Sequence, residues 1–238
     1  MAKGLYLAGA GMIARQKRFE SLAQNIANTS TPGYRASRSF ANVLEGISDD
    51  SASLRRVERN QRTWIDQSQG PVEHTNRPTD VALQGPGFFS VSTPDGVRYT
   101  RNGNFQLDRA GRLVTTQGDP VLGEKGELRA PAGDLTVADN GDVFVGDTRI
   151  DRLRMRDFEA PEALQRDGAG LCAADPAARP VAIGEETKVC PGCLERSNVQ
   201  GIDGMVRMMT LMKQYEAAQR VLKLQSQTLS RVTSELIR

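Results

Sequence analysis

The sequence predicts an α+β protein in which terminal α-helices form a coiled-coil-like assembly region around a central, mainly antiparallel β domain. The first observation is where Gly and Pro fall. No Pro precedes Pro32, none follows Pro191, no Gly follows Gly204, and twelve of the 23 Gly lie between Gly70 and Gly146. Helix interiors disfavour both residues, Pro by about 3 and Gly by about 1 kcal/mol relative to Ala. The second observation is a seven-residue apolar spacing at each end of the chain. The third is a middle of short β-type runs separated by Gly-containing turns.

At the N-terminus, Leu5, Met12, Phe19 and Ile26 stand seven apart, with Ala8 and Leu22 on the intervening seam and Arg15 interrupting it. This helix should end near Asn28, because Pro32 disfavours helical geometry at Thr31 and Pro32-Gly33 is turn chemistry. Residues 35–69 read as an extended connector, polar and charged from Ser48 onward. The β domain is expected over 70–196. Its hairpin turns are Thr93-Pro94-Asp95-Gly96, Asp108-Arg109-Ala110-Gly111 and Asp139-Asn140-Gly141, each flanked by β-type runs. Residues 1–34 and 197–238 form the helical assembly region. In its C-terminal part Met208, Tyr215, Leu222, Leu229 and Leu236 repeat every seven residues, with Leu211, Ala218, Gln225 and Val232 between them. That stripe runs for about four heptads, the pattern of coiled-coil packing. Isolated helices of this kind are marginal in water, so both ends need partners to be ordered.

Composition narrows the function. With 31 Lys+Arg against 29 Asp+Glu the net charge is +2, which gives no reason to expect a nucleic-acid binder. No run approaches the roughly 18 apolar residues of a membrane span, so no membrane insertion is expected. The first residues lack the apolar core and cleavage site of a removed secretory signal.

Catalytic chemistry is poorly supported. His74 is the one histidine of the chain, and no nucleophile motif accompanies it. There is no Gly-x-Ser-x-Gly elbow. Gly118 to Lys125 mimics a phosphate loop but places Glu124 where the Lys should stand, and Gly85-Pro86-Gly87 precedes a strand rather than a helix. No enzyme, cofactor or small-molecule substrate is therefore expected. Cys190-Pro191-Gly192-Cys193, with Cys172 upstream, leaves three fates open: half of a zinc site, a disulfide, or free thiols. A rival reading builds a zinc- or thiol-dependent binding module from Cys172, Cys190, Cys193 and His74, and another makes His74 the base of a hydrolase.

Three separated blocks carry a resemblance. Ala23-Gln24-Asn25-Ile26-Ala27-Asn28-Thr29-Ser30-Thr31-Pro32-Gly33-Tyr34-Arg35 resembles the N-terminal signature of bacterial flagellar rod and hook proteins, with Gln24 a mild departure. Residues 78–89 (Pro-Thr-Asp-Val-Ala-Leu-Gln-Gly-Pro-Gly-Phe-Phe), followed by Tyr99-Thr100-Arg101-Asn102-Gly103-Asn104-Phe105, resemble the next shared block. Leu194-Glu195-Arg196-Ser197-Asn198-Val199, with Tyr215-Glu216-Ala217, resembles the C-terminal signature. Residues 78–82 and the short length favour the proximal branch of the rod proteins over the distal one.

The resemblance implies a structural subunit of the flagellar basal-body rod, which spans the periplasm, and no catalysis. It implies export by the flagellar type III apparatus without a cleaved signal, and assembly with other rod and hook-family subunits or with further copies of itself. Leu5, Met12, Phe19, Leu22 and Ile26 would then face Met208, Leu211, Tyr215, Ala218, Leu222, Leu229, Val232 and Leu236, or their counterparts in neighbouring subunits. Asn25 and Asn28 would fix register or cap the helix end. The three cysteines depart from the family pattern, and a Cys190–Cys193 disulfide would stiffen the approach to the C-terminal helix after export.

Overall fold

A computed structural model describes residues 2–41, 61–130, 135–160, 164–168, 170–175, 178–184 and 186–236. Within them helix α1 (Ala2–Ala27) and helix α2 (Gly201–Leu236) bracket seventeen short strands. The chain divides into two units: Met1–Ala27, Ser37–Trp64 and Gln200–Arg238 form one, and Asn28–Ala36 with Ile65–Val199 form the other.

In the first unit α1 and α2 pack on each other. Gly204 lies against α1, where a Cβ would stand 3.1 Å from Ile26 Cγ1 and 3.9 Å from Leu22 Cδ1. The close approach explains the Gly at position 204, in a helix that starts about two turns before the apolar repeat at Met208. Asp203 in the first turn suits the positive end of the helix dipole and pairs with Arg207 at 2.8 Å. The expected connector begins with strand β1 (Ser37–Ala41) and ends with β2 (Gln61–Ile65), and these two pair. Between these strands, residues 42–60 lie outside those described.

The second unit is the β domain. Strands β3 (Val72–His74), β4 (Val81–Gln84), β5 (Phe88–Thr93) and β6 (Gly96–Thr100) come first. Next are β7 (Gln106–Leu107), β8 (Leu113–Val114), β9 (Leu135–Val137), β10 (Asp142–Val145) and β11 (Thr148–Arg152). The series ends with β12 (Met155–Phe158), β13 (Leu164–Arg166), β14 (Leu171–Ala174), β15 (Pro180–Val181), β16 (Lys188–Pro191) and β17 (Cys193–Glu195). The three hairpins form where the turns are: β5 pairs with β6, β7 with β8 and β9 with β10, all antiparallel. The largest sheet has the order β13-β14-β6-β5-β12-β15.

Strand β5 is buried on both faces from Phe88 to Val91. Successive side chains of a strand point to opposite sides. Phe89 and Val91 join a core with Val81, Phe105 and Val121, and the Phe89 and Phe105 rings stand 5.2 Å apart. Phe88 faces the other way, into a cluster with Tyr99, Phe158 and Cys172. The Phe158 ring lies 5.9 Å from Phe88 and 4.8 Å from Tyr99, both edge-on. Burial of each such ring contributes about 1.5–3 kcal/mol.

Candidate assembly site

Helix α2 shows two faces. Met208, Leu211, Tyr215 and Ala218 are half-buried, continuing the line of Gly201 and Gly204 at alternating steps of three and four. On α1, Met12, Phe19, Leu22 and Ile26 are half-buried while Arg15 is exposed. The backbone at Leu5, Leu222, Leu229, Val232 and Leu236 is helical, and their side chains lie outside those described. The second face of α2 carries Ile202, Met205, Met209 and Met212, again three and four apart, and it is exposed: 83% for Ile202 and about half for the three Met. One residue step along an α-helix is about 100° of rotation. The two lines therefore run side by side around one helix, the first in contact and the second bare.

Asn25 performs a different task from a seam residue. It is buried, and it grips the first residue of β1 from both sides: its Nδ2 donates to Ser37 O at 2.7 Å and its Oδ1 accepts from the Ser37 N–H at 2.8 Å. Asn28 follows the end of α1. Its carbonyl accepts from the Thr31 N–H at 3.2 Å and its side-chain oxygen from the Thr31 hydroxyl at 3.1 Å, closing the turn before Pro32.

The three sequence blocks meet inside the β domain. Glu195, 1% exposed, accepts from Arg35 Nη2 and from Arg101 Nη1, both at 3.4 Å, and from the Gly70 N–H at 3.1 Å. Arg35 also donates to the Gln67 carbonyl, and Arg101 to Gly85 O at 2.5 Å. Backbone bonds run in parallel: the Gly33 N–H donates to Glu195 O at 2.7 Å and the Asn198 N–H to Tyr34 O at 3.2 Å. The Asn198 side chain accepts from the Ala36 N–H at 2.7 Å and donates to Ser68 O at 2.9 Å. Arg166 stacks over the Tyr34 ring at 4.2 Å. Burial, and next the like charge of Arg35, push the Arg101 guanidinium down to about 10. Burial lowers Arg35 as well, with Glu195 acting against the fall. One carboxylate thus bridges two desolvated cations. The sequence blocks contain Arg35, Arg101 and Glu195 without marking them off from Asp80 and Arg196, so the ion bridge was not legible in them.

Gly33 supplies the turn that delivers Arg35. Its φ is +67°, and a Cβ there would stand 2.3 Å from Asn102 N. Only Gly adopts that backbone without penalty, and here the space is closed as well.

The cysteines separate. Cys172 is a buried free thiol on β14, paired across the sheet with Tyr99, and burial pushes its pKa up. Cys190 and Cys193 are bonded to each other at the corner between β16 and β17. His74 lies opposite Cys193 in the β3–β17 ladder, with Nδ1 3.3 Å from the sulfur. The four residues of the rival module are therefore not one site, and among the described residues no group of three His, Cys, Asp or Glu side chains is placed to hold a metal ion. Gly118 to Lys125 spans a turn and isolated β-bridges at Pro120, Val121, Leu122 and Gly123 rather than the start of a helix. Among the described residues no helix is long and apolar enough to cross a membrane.

Comparison with known proteins agrees with this placement. Residues 5–35 match the family model for flagella basal body rod proteins. Residues 82–145 match the flagellar hook protein FlgE/F/G D1 domain, and 191–235 the C-terminal domain of flagellar basal body rod FlgEFG proteins. The chain is 36% identical to the flagellar basal-body rod protein FlgF of Escherichia coli (strain K12) and 34% to that of Salmonella typhimurium, in each case over an alignment of 217 positions that covers 84% of this chain and 84% of that one. It is 26% identical to the rod protein FlgG of Buchnera aphidicola subsp. Schizaphis graminum, over 98% of this chain and 99% of that one. The chain belongs to the flagellar basal-body rod protein family, and is a structural subunit of the basal body rather than an enzyme. Within the family it is FlgF-like, with FlgG next.

Proposed function

We propose that the subunit polymerises through its terminal helices, with the α1–α2 pair as the repeating element and the bare line of α2 as the place where the terminal helix of a neighbouring rod or hook-family subunit docks. The observation that carries this is the pair of parallel heptad lines on one helix, the first occupied by α1 and the second exposed although it is made of Ile and Met. Burying one such side chain contributes about 1.5–3 kcal/mol, so four of them offset a large part of the entropy lost on association. A contact between unlike surfaces of successive copies builds an open helical assembly, the form a rod requires. The chain reaches its place through the flagellar export apparatus, unfolded.

The test is the double substitution Met205→Asp, Met209→Asp. It leaves the half-buried line untouched, so helix content by circular dichroism should be retained, while rods seen in basal bodies by electron microscopy should stop short and motility should be lost. Motile cells with complete rods carrying both changes would contradict the docking assignment.

A further inference from the structure

The Cys190–Cys193 pair has features of a reactive site rather than of a staple. The bond spans only Pro191 and Gly192, and so short a loop removes little freedom from the unfolded chain. The corner is already fixed without it. The N–H groups of Thr75 and Asn76 donate to Gly192 O at 2.8 and 3.2 Å, and the Gly192 N–H donates to Asp80 O at 2.8 Å. Strand β16 is held in register by β4, from Lys188 opposite Gln84 to Pro191 opposite Val81, and β17 by β3. The two sulfurs are unequally placed. Cys193 is completely buried, whereas Cys190 is half-buried and borders solvent. An imidazole, that of His74, stands beside the buried Cys193 sulfur.

We propose that Cys190 and Cys193 form a thiol–disulfide exchange site whose partner is an external thiol or disulfide, with Cys190 the sulfur that is attacked and Cys193 the sulfur that leaves. An external thiolate attacks Cys190 Sγ along the S–S axis. A new bond joins the external sulfur to Cys190, the Sγ–Sγ bond breaks, and its electron pair departs on Cys193 Sγ. His74, on the adjacent strand, is placed to give that sulfur a proton. A second external thiolate then attacks the sulfur of the first, which releases the external disulfide and leaves Cys190 reduced. Two electrons have passed from two external thiols to the protein. The reverse sequence, with an external disulfide as oxidant, closes the pair. Access decides which sulfur is attacked, because exchange needs an in-line approach and the chain covers Cys193. Cys172 stays outside this chemistry, buried on a different sheet.

The experiment uses the full chain, equilibrated in buffers of stepped reduced-to-oxidised glutathione ratio. The reaction is quenched with acid, free thiols are alkylated, and intact mass and peptide mapping give the state of each cysteine. The expected result is a reversible change at Cys190 and Cys193 with no change in the circular dichroism spectrum, while Cys172 remains a thiol throughout. Cys193→Ser should accumulate a glutathione adduct on Cys190, and Cys190→Ser should show loss of that adduct at Cys193 over the same time. His74→Gln should slow reduction of the otherwise unaltered chain. A pair that stays oxidised at every ratio in the folded protein, or that takes the adduct equally at either cysteine, overturns the proposal. The glutathione titration of the unsubstituted chain decides even where a variant fails to fold. It is also independent of polymerisation, so its outcome is separate from that of the Met205/Met209 test.

Discussion

Replacing Glu195 by Gln keeps the shape of the side chain and an oxygen for the Gly70 N–H, but removes the one carboxylate in contact with both Arg35 and Arg101. All three side chains are nearly inaccessible, at 1, 6 and 3%. Breaking a buried ion pair by removing one partner costs about 3–5 kcal/mol, chiefly because a charge is left behind without compensation. The contacts here are 3.4 Å, longer than the best charge-assisted hydrogen bonds, which argues for the lower end, about 3 kcal/mol. A loss of that size lowers Tm by roughly 6–12 °C for a domain of this size. Arg101 already sits at about 10 through burial and the neighbouring Arg35, so it is protonated in both folded and unfolded chains near neutrality. Without Glu195, whose charge raises it, the folded value of Arg101 falls below about 10, so the deficit should be full near neutrality and shrink as pH rises through that lowered value. The assay is thermal and urea unfolding by circular dichroism, with Asp167→Asn as control. Asp167 pairs with Arg98 on the surface, where such a pair contributes about 0–1 kcal/mol. If Glu195→Gln costs no more than Asp167→Asn, the buried bridge does not hold the three blocks together and the reasoning fails.

Two further outcomes follow from single positions. Gly33→Ala forces a Cβ to 2.3 Å from Asn102 N at a positive φ, so it should lower stability by more than about 2 kcal/mol and appear as a fall in the urea midpoint. For Asp142, burial alone would raise the pKa. The hydrogen bonds from Arg152 and Asn140 and the charges of Arg152 and Arg149 outweigh it, so the carboxyl is held below its usual range. Its folded pKa being the lower one, it stabilises the protein above about pH 4, and that contribution is lost as pH falls from there toward the folded value. Asp142→Asn should remove this part of the acid sensitivity, as read from stability between roughly pH 5 and 3.

What the sequence made legible was local. A Gly at φ > 0 beside Pro, Asp or Asn names a hairpin within four residues, and β5–β6, β7–β8 and β9–β10 formed there. Met208, Leu211, Tyr215 and Ala218, all members of the seven-residue repeat, are half-buried on α2. The bare line beside it leaves a shorter periodic trace, because the spacing of Ile202, Met205, Met209 and Met212 continues into Glu216 and Gln219. Contacts over long separations left no periodic trace. Strand β14 lies beside β6, which puts Cys172 against Tyr99 and far in the fold's connectivity from Cys190. Arg35 reaches Glu195 across 160 residues of chain. The bonds of Asn25 to both backbone groups of Ser37, twelve residues on, had no trace in the periodicity either.

The two apolar lines on α2 also have a mechanical meaning. A cylinder touched along a single line can roll about that line; touched along two, it cannot. Were a neighbour to dock on the second line as proposed, α2 would be locked against spinning on its own axis, and a twisting load would pass sideways into that neighbour. For a shaft that turns, resistance to torsion would then begin at the level of an individual helix.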